Sequence, residues 1–234
     1  MTDFKPFTHD ALPVPTARSV TVILDLAAEW SRAESLLFAS LGSLTLLDRA
    51  LECLAHTCEA DARIVRIPTA ELASVVERSR FRSAEVVLSG DPKRAGDRLA
   101  TSSHALVIDG RHPFLRPGTI DEAIRLVKMR VDVVSLTSVA RTRPGWWFEE
   151  QGSSMDDACG HALPAHPLGI LRECHAFHVV RTERLQRGSR RFSGQRLDPC
   201  AFEVAASEAF RIDSEFDLQL AAAWAAARPM TQAA

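Results

Sequence analysis

The 234-residue sequence contains no tyrosine, and Phe and Trp together bring its aromatic content to only 6%. A scarcity of aromatic side chains disfavours a base-stacking platform for single-stranded nucleic acid. The chain also has no excess of either charge, because 28 Lys and Arg are matched by 30 Asp and Glu. Such a balance provides no global field for nucleic acid or an anionic membrane. We therefore expect a small-molecule ligand, with no nucleic acid and no membrane as partner.

Long hydrophobic runs are missing as well. The longest, such as VILDLAA, are far too short to span a bilayer, and the N-terminus shows no secretory h-region. The five cysteines form an odd set without a C-x-x-C pair. This set favours reduced thiols over a disulfide framework or a zinc ribbon. The sequence therefore predicts a cytoplasmic protein.

Apolar strand patterns alternate with helical patterns along most of the chain. The predicted strands are SVTVILDL (19–26), DARIVRIP (61–68), AEVVLSG (84–90), HALVIDG (104–110), VDVVSLTSVA (131–140) and CHAFHVV (174–180). The predicted helices are 45–57, 69–80 with Thr69 as its N-cap, 96–103, 119–130 and an amphipathic closing helix at 215–228. This alternation predicts an α/β fold with a mostly parallel twisted sheet and helices on both faces.

The length of the chain suits a single α/β domain. We expect this domain to occupy residues 19–234, after a flexible lead-in at 1–18 that contains three prolines. Residues 141–170 are dense in Gly, Pro and Ser and lack periodicity, which is typical of a functional lid or a dimerisation arm. The GWWF segment (145–148) either covers a ligand, anchors a dimer interface or packs in the core. We expect a homodimer.

Two acidic residues are expected at the carboxyl edge of the sheet, where open α/β sheets bind their ligands. Asp109 ends the strand HALVID, and Asp213 lies in FRID just before the last helix. Two converging carboxylates suit Mg²⁺, with phosphate oxygens completing its coordination shell. Each aspartate also has a structural alternative, since Asp109 could close a turn and Asp213 could cap the helix.

Three segments resemble the cytidylyltransferases that activate acidic sugars and sugar alcohols, namely the acylneuraminate, 3-deoxy-octulosonate and methylerythritol-phosphate cytidylyltransferases. The segments are HALVIDGRHPFLRPGTIDEAIRLV (104–127), LRECHAFHVVRTERL (171–185) and EAFRIDSEFDLQLAAAW (208–224). The similarity extends over roughly residues 20–227. It implies a nucleotide-diphospho-sugar transferase fold of the GT-A, Rossmann-like type. It also implies transfer of a nucleoside monophosphate from CTP to an acidic sugar, a sugar alcohol phosphate or a related acceptor, with release of pyrophosphate.

The resemblance assigns roles to particular residues. It implies Mg²⁺ on Asp109 and Asp213, with Asp109 also in the nucleotide site, and a structural role for Asp217. It places Arg172 at the acceptor pocket, among the cofactor-binding residues. The chain departs from the family at two positions: Arg211 replaces the first aspartate of the closing D-x-D, and Arg111 stands where the octulosonate enzymes have an acidic residue.

The segment LAAEWSRAESLLFASLGSLTLLDRAL (26–51) is similar to the Gly-rich loop that binds the triphosphate in this family. Ala27 and Ala28 match it and are candidate nucleotide-binding residues. The loop is degenerate, because Glu29 and Trp30 stand where glycine is usual and no lysine precedes SLGSL. A carboxylate repels a polyphosphate unless a metal intervenes. Arg32 either replaces the lost phosphate contacts with its guanidinium group or lies on a helix surface.

Two further basic residues, Lys93 and Arg94, follow the third predicted strand in SGDPKRAGD. They either reach phosphate, which would make them catalytic together with Arg32, or belong to a solvated turn. The arginine-rich stretch 181–196 is short and interrupted, which favours a solvated loop over a nucleic-acid surface.

A run of soft ligands comes before and within the strand CHAFHVV. Its members are Cys159, His161, His166, Cys174, His175 and His178, and the last three stand where the family has Asn, Gly and Tyr. A zinc site is one interpretation, but the spacing matches no standard zinc pattern, and ordinary core and pocket residues are the other.

Three functions follow from these observations. The first is a cytidylyltransferase-like enzyme that uses CTP and Mg²⁺. The second is a diverged relative that binds a ligand or partner without nucleotidyl transfer. The third is a relative adapted to other small-molecule chemistry, with the Cys/His-rich strand as its reactive element.

Overall fold

The structure is a computed structural model that describes residues 18–26, 34–81, 83–89, 101–142, 147–148, 153–154, 170–186 and 198–227. The predictions for residues 1–17, for most of the 96–103 helix and for most of the 141–170 loop lie outside these residues. The described helices are α1 (Glu34–Leu37), α2 (Leu46–Ala55), α3 (Ala70–Arg78), α4 (Pro117–Met129), α5 (Thr182–Gln186) and α6 (Glu215–Ala227). The described strands are β1 (Val20–Asp25), β2 (Ser40–Leu41), β3 (Leu44–Thr45), β4 (Ala62–Ile67), β5 (Glu85–Leu88), β6 (His104–Asp109), β7 (Leu136–Thr142), β8 (Trp147–Phe148), β9 (Ser153–Ser154), β10 (Ile170–Arg181) and β11 (Cys200–Val204).

Seven strands form one sheet in the order β11-β7-β10-β6-β1-β4-β5. Each neighbouring pair is parallel except for the two pairs that involve β10, which runs antiparallel to β6 and β7. The predicted mostly parallel α/β sheet is confirmed. The short β2–β3 hairpin, the antiparallel pair of β8 and β9 and the edge strand β11 were not predicted from the sequence. Because β10 runs in reverse, Phe177 of β10 lies beside Ile108 near the carboxyl end of β6, whereas the earlier residues of β10 pair with β7.

The two faces of the sheet hold different apolar clusters. Leu24 and Ile108 belong to the cluster that also contains the buried residues of α2, α3 and α4. Ile23 and Ala105 belong to a smaller cluster on the other face, against which Leu185 of α5 packs. Side chains alternate between faces along a strand. Asp25 and Asp109, which follow Leu24 and Ile108, therefore project from the face of the smaller cluster, at its carboxyl end.

Helices α2, α3 and α6 begin within one residue of the positions that the sequence indicates, whereas α4 begins at Pro117, two residues before its predicted start. The Thr69 hydroxyl accepts a hydrogen bond from the backbone N–H of Leu72, so the predicted N-cap of α3 is confirmed. The closing helix α6 also forms as predicted, but it is not amphipathic. Phe216 and Leu220 are exposed, whereas Ala221 is the buried residue of the helix. Among the described helices, none is both long enough and apolar enough to cross a membrane.

Arg18, the first described residue, is attached to the end of α4 by hydrogen bonds. Its guanidinium group donates hydrogen bonds to backbone carbonyls at the end of α4 and just beyond it, those of Val127, Arg130, Val131 and Val133. The last residue of the expected lead-in is thus attached to the domain, and the earlier ones lie outside the described part of the chain.

Strand β10 contains a bulge where it meets β7, between Glu173 and His178. Within this bulge His175 has a φ of 59°, in the left-handed region. A side chain in that region costs roughly 1–2 kcal/mol, because Cβ approaches the following carbonyl oxygen. The Ser138 hydroxyl accepts a hydrogen bond from the Phe177 N–H at 3.1 Å and so satisfies one donor that the bulge removes from the ladder.

Replacing His175 with glycine should raise the free energy of unfolding by on the order of 1 kcal/mol. Glycine adopts a positive φ without strain, and this gain exceeds the added entropy of the unfolded chain. Alanine is the matched control, since it also removes the imidazole but keeps the strained Cβ. Urea denaturation of the two variants measures the difference. Equal stability of His175→Gly and His175→Ala would show that the relief of the positive φ does not exceed the added entropy of the unfolded chain.

Candidate functional site

A cluster of carboxylates and guanidinium groups lies at the carboxyl edge of the sheet. Asp109 is the last residue of β6, and its partner in the neighbouring strand β1 is Asp25. Asp213 belongs to the connection between β11 and α6. This edge is where ligands bind in open α/β sheets, because the strand ends and the loops that follow them leave a crevice there.

Arg111 lies between the two predicted metal ligands. Its Nη2 donates to Asp109 Oδ2 at 2.6 Å, and its Nε donates to Asp109 Oδ1 at 3.0 Å. Its Nη1 donates to Asp213 Oδ1 at 2.9 Å. The backbone N–H of Arg111 also donates to Asp109 Oδ1 at 3.0 Å. Asp109 thus closes the turn after β6, as its structural alternative predicted, and in addition binds the Arg111 side chain.

Asp213 does not cap α6. The helix is capped by Ser214, whose hydroxyl accepts from the Asp217 N–H at 3.2 Å and donates to Asp217 Oδ2 at 2.7 Å. Asp217 therefore has the structural role that the family resemblance implies. The side chain of Asp213 faces two arginines instead, since its Oδ2 accepts from Arg211 Nε at 2.7 Å while its Oδ1 binds Arg111.

The pKa of Asp109 lies below its ordinary value. Burial on its own would raise this pKa, but the hydrogen bonds and the positive charge of Arg111 outweigh the effect of burial. The carboxyl group is consequently ionised at neutral pH. Arg111 and Asp109 form a charged pair rather than a neutral contact.

Backbone and side-chain hydrogen bonds attach the segment that carries Asp213 to the loop that carries Arg111. The Ile212 N–H donates to the Arg111 carbonyl at 3.0 Å. The His112 Nδ1–H donates a hydrogen bond to the Glu208 carbonyl, with a distance of 3.1 Å between the nitrogen and the oxygen. Burial lowers the pKa of His112 to about 4, so its ring is neutral at pH 7. These contacts fix Asp213 relative to β6 although the two lie far apart in the sequence.

Glu208 is a buried carboxylate that the sequence analysis missed. Its Oε1 accepts from the Thr119 hydroxyl at 2.6 Å and from the Arg116 N–H at 3.1 Å. Its Oε2 accepts from Arg116 Nη2 and from the Ala205 N–H. No local pattern distinguishes this glutamate from a surface one, because all of its donors except the Ala205 N–H come from Arg116 and Thr119, which are distant in the sequence.

A second acid–base pair adjoins the first. Arg66 of β4 donates to Asp25 through Nε and Nη2, at 3.0 and 2.6 Å. The sequence analysis did not select Asp25, although VILD at the end of β1 resembles LVID at the end of β6. The cluster thus contains Asp25, Asp109 and Asp213 with Arg66, Arg111 and Arg211, and its formal charges cancel.

Several predicted site residues are not described by the structure. Ala27, Ala28, Arg32, Lys93 and Arg94 lie outside the described residues, so their roles at the phosphates stay predictions. Arg172 is described, and it lies in β10 opposite Ala140 with its side chain exposed. Its role in an acceptor pocket likewise stays a prediction.

The Cys/His-rich strand binds neighbouring side chains. Cys174 Sγ donates to the Ser138 hydroxyl at 3.4 Å, and His175 Nδ1 lies 3.2 Å from Glu173 Oε1. That oxygen of Glu173 also accepts from the Thr137 hydroxyl at 2.6 Å. Within the described part of the chain, no group of three or more His, Cys, Asp or Glu residues is placed to hold a metal. Cys159, His161 and His166 lie outside it, so the zinc interpretation has no support from the described residues.

The arrangement of Asp109 and Asp213 does not fit a divalent cation. Each of their four carboxylate oxygens accepts a hydrogen bond from Arg111 or Arg211. A cation would have to displace the Arg111 guanidinium group to reach both carboxylates. The expectation of Mg²⁺ on these two residues therefore stays a prediction without structural support.

The comparisons with known proteins concern the fold. No model of a protein family and no curated protein sequence matches this chain. A 4-diphosphocytidyl-2C-methyl-D-erythritol synthase from Anaerococcus prevotii matches with a TM-score of 0.60 and 11% identity, over 89% of this chain and 96% of that one. CMP:2-keto-3-deoxy-manno-octonic acid synthetase, in complex with CTP, matches with a TM-score of 0.62 and 11% identity, over 91% of this chain and 99% of that one.

A third solved structure, Rv0371c from Mycobacterium tuberculosis H37Rv, matches with a TM-score of 0.57 and 13% identity, over 89% of this chain and 99% of that one. At such identities a structural likeness establishes architecture rather than chemistry. These likenesses show that the chain has the α/β fold of the cytidylyltransferase family.

Proposed function

We propose that this protein is a cytidylyltransferase-like enzyme that binds CTP at the carboxyl edge of its sheet and transfers CMP to a small acceptor. The observation that supports the proposal is the cluster of Asp109, Arg111 and Asp213, which lies at the ligand-binding edge of a cytidylyltransferase fold. One of the similar structures holds CTP. The acceptor class that the family resemblance suggests is an acidic sugar or a sugar alcohol phosphate.

The proposed reaction is a displacement at the α-phosphorus of CTP. An acceptor oxygen forms a bond to this phosphorus, the bond to the bridging oxygen breaks, and pyrophosphate leaves with the electron pair. Such reactions depend mainly on positioning and on neutralisation of negative charge. In this proposal Arg111 and Arg211 neutralise Asp109 and Asp213, so that these carboxylates do not repel the triphosphate.

Other residues complete the proposed site. Arg32, Lys93 and Arg94 contact the phosphates, and the backbone at Ala27 and Ala28 approaches the nucleotide. Arg172 and residues 145–170 form the acceptor pocket, and the loop at 141–170 that contains these residues is also the proposed dimerisation arm. Mg²⁺ bound to the phosphates of CTP would neutralise part of their charge, but no step here depends on a metal held by Asp109 and Asp213.

Calorimetric titration with CTP, with ATP as the control nucleotide and with and without Mg²⁺, tests the binding step. We expect CTP to bind more tightly than ATP. Release of pyrophosphate in the presence of 2-C-methyl-D-erythritol 4-phosphate or 3-deoxy-manno-octulosonate then tests the transfer step. Failure of the protein to bind either nucleotide would contradict the proposal.

Substitution of Asp213 by asparagine should reduce the rate of pyrophosphate release on the order of a hundredfold, because Arg111 and Arg211 lose the carboxylate that positions them. Its effect on stability should be small, since the Asp213 side chain is 44% exposed. Ser214→Ala is the matched control. It removes the cap of α6 and should cost about 1 kcal/mol of stability without a comparable loss of rate.

A binding protein without transferase activity is the second candidate. It is favoured by the arginines that bind every oxygen of Asp109 and Asp213, and by Glu29 and Trp30 in the loop that resembles the triphosphate loop. Tight binding of CTP, with no release of pyrophosphate from it in the presence of any trial acceptor, would favour this candidate over the enzyme.

A further inference from the structure

We infer that Arg111 is a resident cation that takes the place of a protein-held divalent metal between Asp109 and Asp213. The inference concerns the same site as the proposed function, and its consequence for nucleotide binding rests on that proposed function. Its test uses metal ions alone, so it can fail or succeed whether or not the protein binds CTP.

The position of Arg111 is set by its backbone as well as by its side chain. The Arg111 N–H donates to Asp109 Oδ1, and the Arg111 carbonyl accepts from the Ile212 N–H at 3.0 Å. Its side chain is only 13% exposed and donates to carboxylates on both sides. An exposed surface arginine samples many rotamers and pairs weakly. Arg111 is instead held between two elements of the fold by four sets of hydrogen bonds.

The positive charge of Arg111 reduces the repulsion between two carboxylates, as a metal ion does in a two-carboxylate site. Asp109 and Asp213 face one guanidinium group, so in its absence the two carboxylates would repel each other. A divalent cation relieves this repulsion in metal sites by binding carboxylate oxygens. Here a planar guanidinium group relieves it, with donors whose directions match the carboxylates.

Arg211 completes the neutralisation. It binds Asp213 Oδ2, the oxygen of that carboxylate that does not bind Arg111. The two carboxylates and the two guanidinium groups have formal charges that cancel. A divalent cation would therefore meet a neutral cluster whose oxygens are already hydrogen-bonded, and it would have to expel a largely buried guanidinium group to bind.

This arrangement changes what the proposed site requires. The guanidinium groups that neutralise Asp109 and Asp213 are part of the polypeptide, so the two carboxylates are neutralised at any metal concentration. Nucleotide binding at this edge then requires no metal ion held by these two aspartates.

The test is a gain of metal binding on removal of Arg111. Mn²⁺ is titrated into the protein alone, and the free ion is followed by electron paramagnetic resonance. Arg111→Ala should bind Mn²⁺ about tenfold more tightly than the unmodified protein or better, because it leaves two carboxylates facing an empty position. Mn²⁺ should also raise the melting temperature of this variant, since a ligand that binds only the folded state stabilises it.

Three controls show that charge and position are responsible. Arg111→Lys keeps a positive charge and should gain no Mn²⁺ site. Arg211→Ala removes the other partner of Asp213 but leaves Arg111 in place, and it should gain none either. The double variant Arg111→Ala/Asp213→Asn should lose the site that Arg111→Ala gained.

Two results would overturn the inference. The first is a folded Arg111→Ala protein that binds Mn²⁺ no better than the unmodified protein. The second is an unmodified protein that binds Mn²⁺ as tightly as the variant and loses this binding on Asp213→Asn, which would show that Arg111 gives way to a metal. If Arg111→Ala does not fold, Arg111→Gln replaces it. The comparison of Mn²⁺ binding between the unmodified protein and Asp213→Asn tests separately whether Arg111 gives way to a metal.

Discussion

Replacing Glu208 with alanine is expected to lower the free energy of unfolding by about 3–5 kcal/mol. Glu208 is 1% exposed, and it accepts hydrogen bonds from the Thr119 hydroxyl and from the backbone N–H groups of Arg116 and Ala205. Alanine would leave these donors without an acceptor in a place that water does not reach. Each buried donor left unpaired costs roughly 1–3 kcal/mol.

Arg116→Ala separates this effect from the loss of an ion pair. The Arg116 side chain is 67% exposed, so its removal should cost no more than about 1 kcal/mol. Urea denaturation of both variants provides the comparison. If both variants lose the same stability, the ion pair rather than the buried acceptor is the source of the effect.

Glu208→Ala should also loosen the segment that carries Asp213. The contacts of Glu208 attach residues 205–213 to the start of α4. Amide hydrogen exchange in this segment should therefore be faster in the variant. Unchanged exchange there would show that the remaining contacts, such as the one between Ile212 and Arg111, are sufficient.

Acidification from pH 6.5 to pH 4 is expected to destabilise the protein through two buried histidines. Burial is the main cause that lowers the pKa of His104 to about 4, and the charges of Arg18 and Arg181 lower it further. The pKa of His112 is also about 4, again mainly because of burial. In the unfolded chain both rings titrate near pH 6.5.

The direction of the effect follows from proton binding. Between pH 6.5 and pH 4 the unfolded chain binds protons at these rings and the folded protein does not, so acid favours unfolding. The free energy of unfolding is highest above pH 6.5, where both rings are neutral in the folded and the unfolded chain, and it decreases as the pH falls towards 4. Each histidine accounts for on the order of 3 kcal/mol over this range.

The His104→Gln variant tests this prediction away from the candidate site. Its stability should fall less between pH 7 and pH 4.5 than that of the unmodified protein, and His112 accounts for part of the remaining loss. His56→Gln is the control, because His56 is exposed. A His104→Gln protein with the full loss of stability would assign the pH dependence to other groups.

Much of the fold was predictable because it depends on local periodicity. The alternation of apolar residues located β1, β4 and β6, and the spacing of apolar residues located α2, α3 and α4. The strands that were missed are short or lie at an edge, as β2, β3 and β11 do. The prediction that α6 is amphipathic was wrong because apolar residues occur on all sides of this helix, and its sequence does not show which of them are buried.

The candidate site was predictable only in part. Asp109 was found because a strand pattern ends at it, and Asp213 because it precedes a helix. The alternative role of Asp213 as a cap was excluded by Ser214, which performs that role. Arg111 was noted as a departure from the family, but nothing local indicated that it binds both aspartates.

The sequence by itself determined the α/β class, the strand that ends at Asp109 and the family whose fold the chain shares. Those properties follow from residues close together in the chain. Only the tertiary structure decided what occupies the space between Asp109 and Asp213. Arg111 and Asp213 are 102 residues apart, and they meet because the segment around Ile212 is hydrogen-bonded to the Arg111 backbone. The partner of a guanidinium group depends on which chain segments pack together, and a sequence pattern records only neighbours along the chain.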